Sequence, residues 1–240
     1  MSAVQSPLSV RKLARHDVAA TARLLAEAFA DNPCYLFMHP RAATRARDLE
    51  AFFRRNLLWH LKLDLTWVAV QAGASADAGP ELVLGTVTLI PPGGVPSSPL
   101  GLMAHWVWPT FWQQSAQHVQ RMIATDNDFK RRYLEDTLGL PYWHVHAVAV
   151  APQAQGRGVG TRLVRHVMKE LEAQLRATPG PVVLSTQRER NLPFYRRLGF
   201  ELTGSKQMGT QGGQAGYQSW FLRQTQLVQA PTLNPAPRAR

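Results

Sequence analysis

Residues 151–161 place three glycines, Gly156, Gly158 and Gly160, at alternate positions between an uncharged run and an amphipathic one. Glycine has no Cβ, so a ligand can approach the backbone closely at such a loop. If the amphipathic run is a helix, its first turn offers unpaired N–H groups and the positive end of the macrodipole. That junction suits a phosphate or a diphosphate. Arg157 adds a guanidinium within the loop, and Arg162 and Arg165 follow it. Just upstream stand His144 and His146, whose imidazoles have an ordinary pKa near neutrality and can take or pass a proton. Strand alternation would put both on one sheet face, together with Val148 and Val150.

Three phosphate-binding patterns compete for the glycine loop. A dinucleotide fingerprint needs a third glycine where Thr161 stands. It also needs an acidic residue after the next strand, where Ser185, Thr186 and Gln187 supply none. A P-loop needs Gly-Lys-Ser/Thr, which is absent. What remains is Gln-x-x-Gly-x-Gly, filled by Gln155, Gly158 and Gly160. Here the chain resembles the GCN5-related N-acetyltransferase (GNAT) family, whose acetyl-CoA pyrophosphate loop has this form. A second block, Asn191 to Phe200, is similar to the family's Asn-x-x-Phe-Tyr-x-x-x-Gly-Phe and lies one helix and one strand further on. Pro193 suits a helix first turn, and Gly199 suits a left-handed C-cap.

The resemblance implies a GNAT fold, acetyl-CoA as cofactor (with coenzyme A as product), and an acyltransferase activity toward an amine. It implies a cofactor site made of Val148, Ala149, Val150, Gln155, Gly156, Arg157, Gly158, Val159, Gly160, Thr161, Asn191, Phe194 and Tyr195. Asn191 would hold the cofactor arm, and Tyr195 would reach its sulfur as the acid for the leaving thiolate. A bulge or splay near Val148 to Val150 would turn backbone N–H groups toward the acetyl oxygen. His144 and His146 are the candidate bases, and their His-x-His-Ala-x-Ala-Val context is similar to arylalkylamine N-acetyltransferases. The Asn191–Phe200 block is closer to the puromycin N-acetyltransferase type, so the two resemblances differ on the substrate; the expected acceptor is the amine of a small molecule, attacking directly in a ternary complex, with a protein or peptide amine as the alternative. The histidines are also readable as packed rings or as metal ligands, although no Cys or HExxH pattern accompanies them. Tyr195 is also readable as a core aromatic.

These residues need elements to position them. Leu8 to Leu13 reads as a strand. A helix over Val18 to Ala30 follows, capped by Asp17 and stopped at Asp31, Asn32 and Pro33. A second amphipathic helix spans Arg41 to Leu61. Thr66 to Val70 and Glu81 to Ile90 read as paired strands joined by a small-residue loop, 72–80. The Pro- and Gly-rich stretch 91–101 is a loop. Leu102 to Leu138 is helical in pattern, broken at Pro109 and near Asp126 and Asn127; it has no counterpart in the resemblance and reads as an insertion at about 102–140. Trp143 to Val150 is an uncharged strand, Gly156 to Arg176 a long helix, Val182 to Thr186 a buried strand, and Leu192 to Leu198 a short helix. Phe200 to Thr203 and Tyr217 to Arg223 close the sheet around the turn 209–216. The expectation is one α/β domain over 1–227, with a mixed, mostly antiparallel sheet of six to seven strands flanked by helices. Residues 228–240, holding three prolines, form a tail.

Composition narrows the remaining classes. The chain has 240 residues, 27 Lys+Arg against 16 Asp+Glu, and a net charge of +11. Residues 151–200 hold nine of the cations and three of the acids, so the excess sits around the proposed anion loop. A localised excess argues for a bound polyanionic small molecule over nucleic acid. A non-catalytic acyl-CoA sensor is the other competing class. The single cysteine, Cys34, excludes an internal disulfide and points to packing in a reducing, cytoplasmic setting. No run reaches membrane-span length, and Met1 to Pro7 lacks the pattern of a secretory signal. Trp106, Trp108, Phe111 and Trp112 could wall a pocket, or simply pack a helix. Asp126, Asp128, Glu135 and Asp136 could draw in a cationic amine, or face solvent. The resembling family often forms homodimers.

Overall fold

The computed structural model describes residues 8–72, 81–94, 116–209 and 216–224. Strand β1 (Leu8–Lys12) leads through a short 3-10 turn (Arg15–Asp17) into α1 (Val18–Phe29), α2 (Pro33–Met38) and α3 (Ala42–Lys62). Strands β2 (Thr66–Gln71) and β3 (Leu82–Ile90) follow. Then come α4 (Ala116–Asp136), β4 (Trp143–Val150), α5 (Val159–Ala177) and β5 (Val182–Thr186). A short α6 (Leu192–Arg196) and the strands β6 (Glu201–Met208) and β7 (Tyr217–Gln224) complete the order. The strands form one seven-stranded sheet ordered β1-β2-β3-β4-β5-β7-β6. Every neighbouring pair is antiparallel except β4–β5.

Apolar patterning explains the layers. Along β4, Trp143, Val145, Ala147 and Ala149 are buried, alternating with half-buried residues. Helix α5 buries Leu163, Val167 and Leu171 in the cluster that holds Val182 and Leu184 of β5. Val183, pointing the other way, joins Cys34, Met38, Tyr133, Tyr217 and Phe221 beneath α2 and α4. The sheet therefore has an α5 face and an α2/α4 face, and β5 contributes core to both. Burial pushes the Cys34 thiol up to about 12, which suits a packed group and not a nucleophile.

Several expectations need correction. Asp17 makes no side-chain cap on α1. It accepts instead from the Ala14 amide (2.8 Å) and from Arg11 Nη1 (2.6 Å), closing the 3-10 turn before the helix. The stop at Asn32 and Pro33 is also a start: Asn32 Oδ1 accepts from Cys34 N at 2.9 Å, and Pro33 opens α2. Helix α4 runs unbroken through Asp126 and Asn127. Its i,i+4 and i,i+3 ion pairs, Asp126–Lys130 and Asp128–Arg131, outweigh the weak propensity of that stretch. Helix α5 begins at Val159, leaving 156–158 as a turn, and β6 runs on to Met208. The tryptophan and phenylalanine cluster at 106–112, the break at Pro109, the tail 228–240, the loop 73–80 and most of the turn 209–216 lie outside the described residues.

Candidate active site

The site begins where β4 and β5 part. Their parallel register covers only Trp143↔Val182 and His144↔Val183. Beyond His144 the strands diverge, so the expected splay starts earlier than Val148 and leaves β4 with an edge turned toward a gap. A cleft of about 540 Å³ occupies this region.

A bulge lies within β4. Ala147 opposes Thr88 and Val145 opposes Leu89, so His146 is the extra residue. Simple alternation is thereby broken. Val148 opposes Val87 while His144 opposes Ile90, three residues along an unbroken strand, so the two lie on opposite faces. The expectation of one shared face is corrected on this point. The histidine rings nevertheless converge, with centroids 5.2 Å apart. His144, His146 and Val148 all line the cleft, which takes side chains from both faces of the sheet through the gap.

The glycine turn lines none of the cleft and lies just past its Val148 end, at the N-terminus of α5. Gly156 and Gly158 have φ of +73° and +77°, the left-handed region that favours glycine, and a Cβ at either would meet open space. Gly158 is the N-cap of α5, and no side chain caps the helix there, so the first-turn amides of Val159, Gly160 and Thr161 keep their donors for a ligand. Arg157, Arg162 and Arg165 are exposed around this turn. Gln155 Nε2 donates to Val150 O at 3.2 Å, pinning the turn to the end of β4. Gly160 differs from its two neighbours. A Cβ there would lie 3.3 Å from Val150 Cγ2 and 3.4 Å from Phe194 Cζ, so this glycine permits close packing of α5 on β4 and α6. Ala149 is buried in the core, and only its backbone can face a ligand.

Helix α6 carries Tyr195 to the cleft, 8% exposed. Burial pushes its phenol up to about 12. Asn191, also lining the cleft, donates from Nδ2 to Thr186 Oγ1 at 2.9 Å, fixing the end of β5. Both histidines are held below the ordinary imidazole value. For His144 the cause is burial first and His146 second; for His146 burial dominates, opposed by Asp126. Both are therefore neutral at neutral pH and can accept a proton.

The opposite wall comes from residues that no motif marks. Trp59 and His60 of α3 line it, and the His60 ring lies 5.9 Å from that of His146. Tyr133 of α4 and Ser185 of β5 line it beside His144. Of the four acids on the α4 pattern, Asp126 reaches the cleft, while Asp128 pairs with Arg131 and Glu135 and Asp136 pair with Arg132. Helical periodicity within α4 could have separated Asp126 from these. The partnership of Tyr133 with His144 crosses elements and had no signal in the sequence. Among the described residues no cluster of three His, Cys, Asp or Glu side chains could hold a metal ion. Among the same residues no helix is long and apolar enough to cross a membrane.

Residues 110–202 match the family model of the acetyltransferase (GNAT) domain. The fold is similar to that of mosquito arylalkylamine N-acetyltransferase like 5b, with a TM-score of 0.60 and 14% identity over 91% of this chain and 99% of that one. It is similar to the Drosophila melanogaster polyamine N-acetyltransferase, an enzyme that forms N-acetylagmatine (TM-score 0.54, 18% identity, 90% and 99% covered). A Corynebacterium glutamicum structure described as histone acetyltransferase HPA2 and related acetyltransferase aligns with TM-score 0.57 and 19% identity over 94% and 99%. The class follows from these together with the splayed β4–β5 gap: the described residues have the GNAT fold. Over residues 110–202 the sequence is similar to the GNAT acetyltransferase domain.

Proposed function

We propose that the protein is an acetyl-CoA-dependent N-acetyltransferase that moves an acetyl group to the amine of a small molecule, by direct attack within a ternary complex. The observation that carries this reading is the two-sided cleft. Its α5 side offers Val148 and Tyr195, and the glycine turn with its helix N-terminus lies next to them, packed on Val150 and Phe194. Its other wall offers two neutral imidazoles and the carboxylate of Asp126. A cofactor and an amine entering from opposite sides would meet in the gap.

Acetyl-CoA supplies the activated acetyl thioester. The amides at 159–161, with Gly156 and Gly158, hold its diphosphate, and exposed Arg157 and Arg162 add charge. The unpaired edge of β4 offers backbone N–H groups to the acetyl oxygen. An alkylamine arrives protonated and must first give one proton to solvent before it attacks. Its remaining N–H becomes far more acidic as the N–C bond forms, so even an imidazole of low basicity at His144 or His146 suffices to take that proton. Tyr195 stays protonated through neutral pH. Complete transfer from a phenol at about 12 to a thiolate whose ordinary value is about 8.5 is uphill. Tyr195 therefore works by donating a hydrogen bond to the departing sulfur, and the final proton comes from water.

A walled cleft of about 540 Å³ favours a small amine over a protein surface. The neighbouring folds belong to proteins named for arylalkylamines and polyamines, which sets the first panel to try. The test is mass spectrometry of such amines, amino acids and aminoacyl antibiotics incubated with the protein and labelled acetyl-CoA. Label in one or a few amines supports the proposal. Absence of thioester turnover across the panel, with coenzyme A still bound, would favour a sensor and overturn it.

A further inference from the structure

Tyr133 comes to the cleft from α4 and is 2% exposed. Its hydroxyl donates to Ser185 Oγ at 2.9 Å and lies 3.1 Å from His144 Nε2. A phenol has one hydrogen. With that hydrogen given to Ser185, the phenol oxygen meets His144 as an acceptor, and Nε2 must carry the ring hydrogen. A neutral imidazole has a single N–H, so Nδ1 keeps the lone pair. We propose that Tyr133 is a positioning residue that holds His144 as its Nε2–H tautomer, making Nδ1 the nitrogen that takes a proton.

The surroundings favour one defined state. The rings of Tyr133 and His144 pack with centroids 4.8 Å apart, which hinders rotation of the imidazole. Phe221 and Tyr142 pack on the other sides of Tyr133, at 5.8 and 5.5 Å. His144 is neutral near pH 7 because burial and His146 both disfavour its charge, so the tautomer is the variable that matters. The catalytic consequence rests on the proposed acetyl transfer. The other tautomer would turn an N–H toward the incoming amine, donor against donor, and the defect would fall on turnover. The tautomer itself does not depend on that reading.

The experiment is NMR of the full chain labelled with 15N-histidine, in which couplings to the ring protons report the nitrogen that bears hydrogen. His144→Gln assigns the signal. The expected wild-type result is the Nε2–H form. Ser185→Ala removes the acceptor, frees the Tyr133 hydrogen to turn to Nε2, and should convert His144 to the Nδ1–H form. Tyr133→Phe should leave a mixture. In parallel, both variants should lose roughly tenfold to a hundredfold in kcat, with the amine KM within about twofold. An Nδ1–H form in the wild type, or an unchanged tautomer in Ser185→Ala, overturns the proposal. If Tyr133→Phe does not fold, Ser185→Ala carries the test. If no acetyl transfer is found, the spectra still decide the tautomer, so failure of the activity and failure of this assignment are told apart.

Discussion

Phe194 closes against Gly160, so that a methyl group added to the glycine would sit 3.4 Å from Phe194 Cζ. The contact ties the first turn of α5 to α6, and α6 carries Tyr195, whose ring packs 5.0 Å from that of Phe194. The glycine turn and the Tyr195 hydroxyl are thus joined through the packing of one side chain, Phe194. The turn can be probed at Gly158, where φ is +77° and the space for a side chain is open. Gly158→Ala should cost about 1–2 kcal/mol of backbone strain and lower Tm by a few degrees. Gly158→Glu should cost the same in stability while weakening coenzyme A by about a hundredfold, because it sets a carboxylate where a diphosphate would lie. Isothermal titration reads the affinity; equal affinity in the Ala and Glu variants would remove the turn from the cofactor site.

Tyr195→Phe separates binding from chemistry. The ring stays in place against Phe200, so packing is kept. Only the hydroxyl is lost; with the proposed role at the leaving sulfur, kcat should fall by about tenfold to a hundredfold while the coenzyme A Kd holds. Stopped-flow release of free thiol measures the step. Unchanged turnover would return Tyr195 to a packing role.

The sheet was legible because β4 and β5 are short, mostly apolar runs that begin just after Pro141 and Pro181, and because β7 follows Gly216 with its buried residues alternating at Tyr217, Ser219 and Phe221. The convergence of His144 and His146 was also legible, but for the wrong reason. Alternation puts residues 144, 146 and 148 on one face, whereas a bulge at His146 shifts the phase, and a bulge depends on pairing with β3 that no local pattern reveals. Gly160 reads as one more ligand-approach glycine until Phe194 is seen beside it. Tyr133 and Ser185 lie far apart in the chain and meet only through the docking of α4 on β5, a tertiary fact without a periodicity of its own. The run of α4 through Asp126 and Asn127 shows ion pairs overriding propensity.

Buried imidazoles make stability depend on pH. His39 is pushed down to about 4, by burial first and then by His118, whose ring centroid is 4.4 Å away. His118, His144 and His146 are lowered as well, each chiefly by burial. Unfolded, each takes a proton near 6.5; folded, each refuses it until lower pH. The unfolded state then binds more protons, so stability is full above about 6.5 and falls on acidification. Each such histidine costs about 1.4 kcal/mol per pH unit until its folded value is reached. Urea midpoints should therefore stay nearly level from pH 7.5 to about 6.5 and fall from there to pH 5, and His39→Phe should flatten that fall by about one proton. A level profile across that range would contradict the burial of these rings.

Asp126 makes two linked predictions. Its carboxylate lines the cleft, pairs with Lys130 at 2.7 Å, and raises His146 against the lowering effect of burial. Asp126→Asn removes a charge that favours the imidazolium, so the His146 value must drop further. If His146 is the group whose deprotonation opens the rate, the acid limb of kcat/KM should move to lower pH. The same change removes an attraction for a second cationic group on the acceptor. KM for a diamine should rise several-fold at low salt and less at high salt, where a partly exposed charge is screened, while KM for a monoamine stays put. A limb that moves upward would rule out the coupling to His146. A monoamine that suffers as much as a diamine would show that Asp126 shapes the wall and does not read charge.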